Sequence, residues 1–131
     1  MPVTLDDDTR ALLDGKNFAT VATLDPDGSP HTSVVWFLRD GDDVLFSSLA
    51  KRRKVKNLER DPRVALSVFD LGNPYHSVDI RGTATLVVDD GKELPVKVSQ
   101  KYLGEDPPPE DDELVRYVIR VTPEKVTSFR A

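Results

Sequence analysis

The sequence contains no cysteine, and it has only two histidines, His31 and His76. The lack of cysteine excludes disulfide bonds, thiolate catalysis and cysteine-ligated metal ions. Two histidines are too few for a histidine-based zinc site, so we expect no metal. The sequence also has no catalytic triad, no paired carboxylates and no evident nucleophile. Either histidine could serve as a proton donor, but a lone histidine is more often structural, and no catalytic side chain is assigned.

Long hydrophobic runs are missing as well. No apolar run approaches the roughly 20 residues that are needed to span a bilayer. The first residues, MPVTLDDDTR, lack the basic and then apolar pattern of a secretory signal. We therefore expect a cytoplasmic protein without a membrane partner, and its 131 residues predict one domain over 1–131.

Positive charge is scarce, with 18 Lys and Arg against 23 Asp and Glu, which gives a net charge of -5. An acidic chain of this kind lacks the extended basic face of nucleic-acid-binding proteins. We therefore expect no nucleic-acid partner. A local basic cluster remains compatible with one small anionic ligand.

Runs of β-branched and aromatic residues predict six or seven strands. The turn signals at 25–28 and 40–43 separate the first three strands and predict an antiparallel meander. Small antiparallel sheets usually avoid exposed edges by closing, so we expect a mainly β fold, a small barrel with two or three helices. The predicted strands are 18–24, 31–39, 44–48, 63–69, 77–88, 114–122 and 125–129.

Helices are predicted where apolar residues recur every three or four positions instead of every second position. Thr4 is the expected N-cap of the first helix, and Ser47 or Ser48 that of the second. The predicted helices cover 4–15, 49–60 and 91–104, and the predicted loops cover 70–76 and 105–113.

The basic residues are concentrated in one stretch, SLAKRRKVKNLERDPR, at positions 48–63. A helix in this stretch would place like charges side by side at the positive end of its own dipole. A bound phosphate would relieve both defects, since helix N–H groups, serine hydroxyls and basic side chains could converge on it. A solvated basic face is an equally good interpretation of the spacing. An RNA-binding patch is less favoured, because no aromatic residue is interleaved with the charges.

Three segments carry a family resemblance: FATVATLDPDGSPHTSVVWFLRDGDDVLFSS, RRKVKNLERDPRVALSV and RGTATLV. Together they resemble the flavin and deazaflavin oxidoreductases of the pyridoxamine-phosphate-oxidase-like (PPOX class) superfamily. Within it the sequence is most similar to the small actinobacterial enzymes that depend on coenzyme F420. The most specific piece is Arg52-x-Lys54-x-x-Asn57-Leu58-x-x-Asp61-Pro62. The resemblance implies an FMN-binding-like split β-barrel and a homodimer with two equivalent cofactor sites at the subunit interface.

The resemblance also implies cofactor-binding residues. Arg52 and Lys54 match positions that hold the cofactor phosphate, and the glutamate tail of F420 suits the surplus charges of Lys51 and Arg53. Trp36 is either a contact to the cofactor ring or a core residue. Tyr75 matches an aromatic that reaches the partner subunit's cofactor, or it covers the end of the barrel. The other implied residues are Thr32, Ser33, Val34 and Val35 along the cofactor ring and Ser47 and Ser48 beside the phosphate.

The implied function is a coenzyme F420-dependent reductase, which passes a hydride to a small activated alkene or quinone-like acceptor. An FMN-dependent oxidase or reductase of the same fold stays open, because both cofactors present a phosphate at similar reach. A non-catalytic F420-binding or storage protein also stays open. The chain lacks the Arg-x-His element that true pyridoxamine phosphate oxidases carry near the C-terminus, which argues against vitamin B6 oxidation.

Overall fold

The computed structural model describes residues 2–131, and its framework is one antiparallel sheet of seven strands with three helices. The prediction of a mainly β fold is therefore confirmed. Within the described residues, none of the helices has both the length and the apolar character that a membrane span needs. The strands are β1 (Ala19–Leu24), β2 (Pro30–Val35), β3 (Leu38–Asp40), β4 (Asp43–Leu49), β5 (Arg63–Asp70), β6 (Asn73–Val88) and β7 (Arg116–Arg130). The helices are α1 (Asp7–Asp14), α2 (Arg53–Arg60) and α3 (Glu93–Leu103).

The sheet curls into a split barrel. Its strand order is β2-β1-β5-β6-β7-β4-β3, so β2 and β3 form the two edges. These two strands are consecutive in the chain, and only Trp36 and Phe37 separate them. The two edges must therefore approach each other at this corner, which leaves little open edge for pairing with another chain.

The core lies inside the curled sheet. Strands β1, β4 and β5 bury every second residue, as a half-buried antiparallel strand does. Helices α1 and α2 add apolar side chains to the same core. Full burial of one Val, Leu, Ile or Phe side chain stabilises the fold by roughly 1.5–3 kcal/mol relative to leaving it exposed to water. The most deeply buried members are Leu13, Val21, Phe37, Val44, Phe46, Val55, Val68, Ile80, Ile119 and Val121.

Strands β6 and β7 pair along almost their whole length, with one irregularity next to Gly82. Gly82 pairs with Pro123 and Arg81 pairs with Lys125, so Glu124 is the extra residue of a bulge. A β-carbon on Gly82 would lie 2.1 Å from the carbonyl oxygen of Thr122, so only glycine allows this approach. The prediction of two strands, 114–122 and 125–129, was wrong because the chain passes the bulge without turning.

Two further strand predictions need correction. The strand expected over 31–39 is broken at Trp36 and Phe37, where the chain turns from one edge of the sheet to the other. The loop expected over 70–76 is reduced to a tight turn at Leu71 and Gly72, and β6 already begins at Asn73.

The expected helix caps were also wrong. Helix α1 is capped by Asp6, whose carboxylate accepts a hydrogen bond of 2.8 Å from the Thr9 N–H, and not by Thr4. Helix α2 begins only at Arg53, so residue 49 of the predicted helix belongs to β4 and residues 50–52 connect the two elements. Ser47 and Ser48 lie on β4 and do not cap α2.

Candidate functional site

A cleft of about 480 Å³ opens at the corner between β2, the end of β4, the start of α2 and helix α3. We call it the cleft, and residues 105–113, which cover one side of it, the acidic loop. Cavities of this size, with apolar walls and a few convergent polar groups, are typical of small-molecule sites. The apolar walls are formed by Val34, Val35, Trp36, Leu49, Pro95, Val98, Leu103, Pro107 and Pro108. The basic and hydroxyl groups come from Ser47, Ser48, Ser99, Arg52, Lys54 and Arg116, and the acidic residues Glu105 and Asp106 of the acidic loop also line the cleft.

Lys54 is the most informative of these residues. It lies in the first turn of α2, it is only 6% exposed, and it lines the cleft. Burial lowers the pKa of the Lys54 ammonium, and the positive charge of Arg52 lowers it further. Within residues 2–131 no carboxylate lies within ion-pair distance of Lys54, and no acceptor is hydrogen-bonded to it. Most of the Lys54 side chain is buried and its partly desolvated ammonium has no counter-ion in the described part of the chain, so this position favours an anion that comes from outside the chain.

The start of α2 adds further donors beside Lys54. Arg52 is the N-cap residue, and no side chain caps the helix, so N–H groups of its first turn have no side-chain acceptor. A helix N-terminus of this kind favours negative charge. Nearby on β4, the Ser48 hydroxyl donates to the Leu49 carbonyl at 3.3 Å, and the Ser47 hydroxyl accepts a bond from Arg116. Together these groups fit one phosphate.

The rest of the basic stretch faces away from the cleft. The Arg53 guanidinium binds the Asp25 carboxylate, with 2.9 Å between Nε and Oδ1. Arg60 donates to the Leu24 carbonyl, and the Lys56 ammonium lies 3.7 Å from the Glu59 carboxylate. The Arg53 and Arg60 contacts join α2 to the end of β1 and the turn that follows it, whereas the Lys56–Glu59 pair lies within α2. The basic stretch is therefore divided into a cleft side and a structural side.

Asp25 is the centre of the structural side. The hydrogen bonds from Arg53, and then those from Asn57, lower the pKa of the Asp25 carboxyl to about 2. Asn57 is buried and donates to Asp25 and to the Thr23 hydroxyl, at 2.9 and 3.0 Å. The asparagine of the family-like motif therefore orients α2 and does not line the cleft. Arg53, which we expected at an anionic tail, is bound within the chain.

An aromatic stack forms one wall of the cleft. Trp36 lies parallel to Tyr102, with 4.8 Å between the ring centroids, and Tyr102 stacks on Phe18 at 6.0 Å. The Tyr102 hydroxyl donates to the Asn17 carbonyl and accepts a 3.4 Å bond from the Phe37 N–H. Burial raises the pKa of Tyr102 to about 12. Trp36 remains 39% exposed, so it is a wall residue and not part of the core.

Lys101 anchors this wall from behind. Its ammonium donates to the carbonyl oxygens of Leu13 and Phe37, both at 3.0 Å. The same nitrogen lies 4.2 Å from the centroid of the Phe37 ring. Burial lowers the pKa of Lys101 to about 8. Helix α3 is thereby tied to the corner where Trp36 leaves β2.

The acidic loop was predicted as an exposed loop, and its lack of regular structure is confirmed, but part of it lines the cleft. The Ser99 hydroxyl donates to the Glu105 carbonyl at 2.6 Å, and the Gln100 amide donates to Asp106 at 2.7 Å. These bonds hold the loop against α3. Sequence reasoning missed this contribution, and it missed Arg116, because nothing in the local pattern shows that the loop returns to the end of β4.

The structure brings most, but not all, of the sequence-predicted residues together. Thr32 lies in a separate depression on the outer face of the sheet, and Tyr75, which is 67% exposed, does not line the cleft. The Ser33 hydroxyl is buried and has no hydrogen-bond partner in the described part of the chain. Lys51 is exposed next to the cleft without lining it. The residues that the cleft unites are Val34, Val35, Trp36, Ser47, Ser48, Arg52 and Lys54.

Comparison with known proteins gives a family and a set of similar structures. The family model described as pyridoxamine 5'-phosphate oxidase matches residues 5–130. The structure of an F420 reductase is 33% identical, with a TM-score of 0.83, over 90% of this chain and 94% of the reductase. A conserved hypothetical protein from Mycobacterium tuberculosis is 22% identical, with a TM-score of 0.80, over 98% of this chain and 86% of its own. General Stress Protein 26 from Bacillus anthracis is 16% identical, with a TM-score of 0.71, over 94% and 92%. The last two similarities show the fold alone.

Proposed function

The chain belongs to the pyridoxamine 5'-phosphate oxidase family of flavin- or F420-dependent oxidoreductases, and on that premise we propose that it is a reductase that uses coenzyme F420. The observation that carries the proposal is the buried Lys54, which faces the cleft beside Arg52 without a counter-ion among residues 2–131. The 33% identity to an F420 reductase supports this cofactor over FMN.

The residues of the cleft fit the two chemical parts of a deazaflavin cofactor. Lys54, Arg52 and the uncapped start of α2 suit its phosphate, since bonds between charged groups are the strongest available to a protein. The apolar walls, with Trp36 and Val34 on one side, suit a flat ring. A bound deazaflavin supplies the hydride, and the acceptor is a small activated alkene or quinone-like molecule.

The protein's own part in such a reaction is to bind and orient. Lys54 and Arg52 fix the anionic end of the cofactor, and the stack that ends in Trp36 gives one rigid wall. The acidic loop contributes further lining residues to the cleft. None of these roles requires a side chain that changes its covalent state, which agrees with the lack of a triad or nucleophile in the sequence.

We also propose that the protein is a homodimer. Small side chains of β1 and β5 line the depression on the outer face of the sheet, and Asp79 and Arg81 of β6 and Lys125 of β7 border it without ion-pair partners among residues 2–131. Opposite charges on one face suit a twofold contact, in which each copy offers its acid to the other's base. The exposed Tyr75 and Phe129 extend the same end of the sheet. Light scattering should give twice the 14.6 kDa chain mass, and a stable monomer that binds the cofactor normally would contradict the dimer.

Turnover distinguishes a reductase from a storage protein. Reduced F420 should be oxidised in the presence of the protein and a panel of enone and quinone acceptors, as followed by the return of its absorbance. Tight binding of F420 without oxidation by any acceptor would favour the storage protein. Purified protein that is yellow, with a flavin spectrum, would favour the FMN-dependent enzyme.

A further inference from the structure

A second cation, Arg116, reaches the cleft from a different element. Arg116 is the first residue of β7 and pairs in register with Leu49 of β4, which places it beside Ser47. Its side chain is 24% exposed and lines the cleft. Lys54 and Arg52 come from α2, so the cleft receives positive charge from two independent parts of the chain.

Only some of the N–H donors of the Arg116 guanidinium have hydrogen-bond partners in the described residues. Its Nε donates to both carboxylate oxygens of Glu110, at 3.1 and 2.9 Å. Its Nη1 lies 3.3 Å from the Ser47 hydroxyl, which is a long bond, and Nη2 has no partner among residues 2–131. The two terminal nitrogens are therefore available to an oxyanion, which guanidinium groups bind in a two-pronged manner.

Glu110 is presented to Arg116 by a stiff segment. It follows Pro107, Pro108 and Pro109, and consecutive prolines favour an extended, poorly flexible chain. Just beyond it, the Lys92 ammonium donates to the Asp111 carbonyl at 2.7 Å. Because the backbone is restrained on both sides of Glu110, its carboxylate can set the direction in which Arg116 points.

Arg120, on the same strand, is a structural arginine with which Arg116 can be compared. It lies four residues further along β7, on the same face of the strand. Its two terminal nitrogens bind two carboxylates, those of Asp40 and Asp43, each at 2.9 Å. Both terminal nitrogens of Arg120 are therefore paired with carboxylates, and Arg120 lies outside the cleft, whereas Arg116 has one carboxylate and lines the cleft.

We propose that Arg116 binds a second anionic group of the cleft's ligand, and that Glu110 is the positioning residue that aims it. This inference rests on the proposed function, in which Lys54 and Arg52 bind the phosphate. The ligand class that fits is a molecule with a phosphate and at least one further anion, such as a carboxylate. The acidic loop is thus part of the binding site through Glu110 and not only a cover.

The binding test uses the intrinsic fluorescence of Trp36, the sole tryptophan of the chain and a wall residue of the cleft. Wild type and the variants Arg116→Met, Arg120→Met and Lys54→Met are titrated with F420 and with FMN, after thermal unfolding has shown that each variant is folded. Arg116→Met should weaken the binding of F420 about ten- to a hundredfold, the range for loss of a bond between charged groups. Arg120→Met, the matched control, should bind like wild type.

The role of Glu110 is tested by two variants that remove the same charge. Glu110→Gln keeps an oxygen that accepts a bond from Nε of Arg116, whereas Glu110→Ala keeps none. If Glu110 aims Arg116, the alanine variant should bind F420 several-fold more weakly than the glutamine variant. Equal affinities of the two would overturn the positioning role.

Failure of this inference differs from failure of the proposed function. Normal F420 binding by Arg116→Met, together with weak binding by Lys54→Met, would overturn the inference and leave the function standing. Binding of FMN but not of F420 by wild type would overturn the function. FMN carries no anion besides its phosphate, so the inference predicts that Arg116→Met binds FMN like wild type. A loss of FMN affinity in Arg116→Met would mean that Arg116 binds the phosphate itself and would overturn the inference. Binding of neither cofactor by wild type would contradict both.

Discussion

Arg53 and Asp25 form an ion pair on the side of α2 that faces away from the cleft. The next residue, Lys54, is turned by one helical step and lines the cleft without such a partner. One short basic stretch therefore has two functions. Its structural side fixes the helix to the barrel, and its cleft side offers positive charge to a ligand.

The structural side gives the first prediction. Arg53→Met should leave the affinity for F420 unchanged, because the Arg53 guanidinium is bound to Asp25 and does not reach the cleft. It should lower the midpoint of thermal unfolding modestly, since it leaves the Asp25 carboxylate with only Asn57. Calorimetry and a cofactor titration check the two parts. A large loss of affinity would mean that the ion pair opens when the ligand binds.

The cleft side gives the opposite prediction. Lys54→Met should weaken F420 binding about ten- to a hundredfold, because a bond between charged groups contributes roughly 1.5–3 kcal/mol. The same change should raise the free energy of unfolding of the ligand-free protein, since it removes a partly desolvated charge that has no counter-ion among residues 2–131. Denaturant unfolding and fluorescence titration measure the two effects.

Lys56→Met is the matched control for this experiment. It lies on the same helix, two residues further along, but it is exposed and near the Glu59 carboxylate. It should change neither the affinity nor the stability by much. If Lys54→Met unfolds easily and binds normally once folded, Lys54 is a structural residue and the phosphate assignment is wrong.

The aromatic wall leads to a prediction about the ring of the cofactor. Trp36→Leu should weaken F420 binding by about two- to tenfold, because a stacked aromatic pair contributes roughly 0.5–1.5 kcal/mol beyond simple burial. Phe18→Leu is the control, since Phe18 lies at the far end of the same stack and does not line the cleft. As Trp36 is the only tryptophan, changes in the absorbance of F420 replace protein fluorescence as the readout. Equal effects of the two substitutions would mean that the stack serves stability alone.

Lys101 gives a prediction about pH. Its pKa falls from its usual value of 10.5 to about 8 in the folded protein, because it is buried. Between these values the unfolded chain binds a proton at Lys101 that the folded chain does not. The contribution of Lys101 to the free energy of unfolding should therefore rise as the pH increases from about 8 towards 10.5.

The measurement compares wild type with Lys101→Met by denaturant unfolding between pH 7 and 9.5. The upper limit avoids the titration of Tyr102, whose raised pKa acts in the opposite direction above about pH 10. The free energy of wild type minus that of the variant should increase with pH across this window. A difference that stays constant would show that Lys101 keeps its usual pKa in the folded protein.

Much of the barrel could be predicted because its signals are local. Strands such as β1 and β5 alternate between buried and exposed residues, and turns such as 25–28 carry Pro, Asp and Gly. The boundaries at Trp36 and at Glu124 could not be predicted. A corner between sheet edges and a bulge both depend on which strand lies opposite, and this is not encoded in neighbouring residues.

The residues of the cleft likewise include some with a local sequence signal and some without one. The crowded like charges at a helix start marked this stretch, but they left a solvated basic face equally open, and the family resemblance singled out Arg52 and Lys54. Arg116 was missed because an arginine at the start of a strand is ordinary, and its role depends on Glu110 and Ser47, which are distant in sequence or in another element. The ion pair of Arg53 with Asp25 was missed because Asp25 lies in a distant turn that only the fold brings close to Arg53.

The most direct test of the account is a parallel titration of the wild-type protein with F420 and FMN, followed by the fluorescence of Trp36. We expect both to quench this fluorescence, with the tighter binding for F420, and we expect Lys54→Met to weaken both, since both ligands carry a phosphate. Binding of F420 that is unaffected by Lys54→Met, or the lack of any binding by wild type, would contradict the claim that the cleft holds the phosphate of a deazaflavin cofactor.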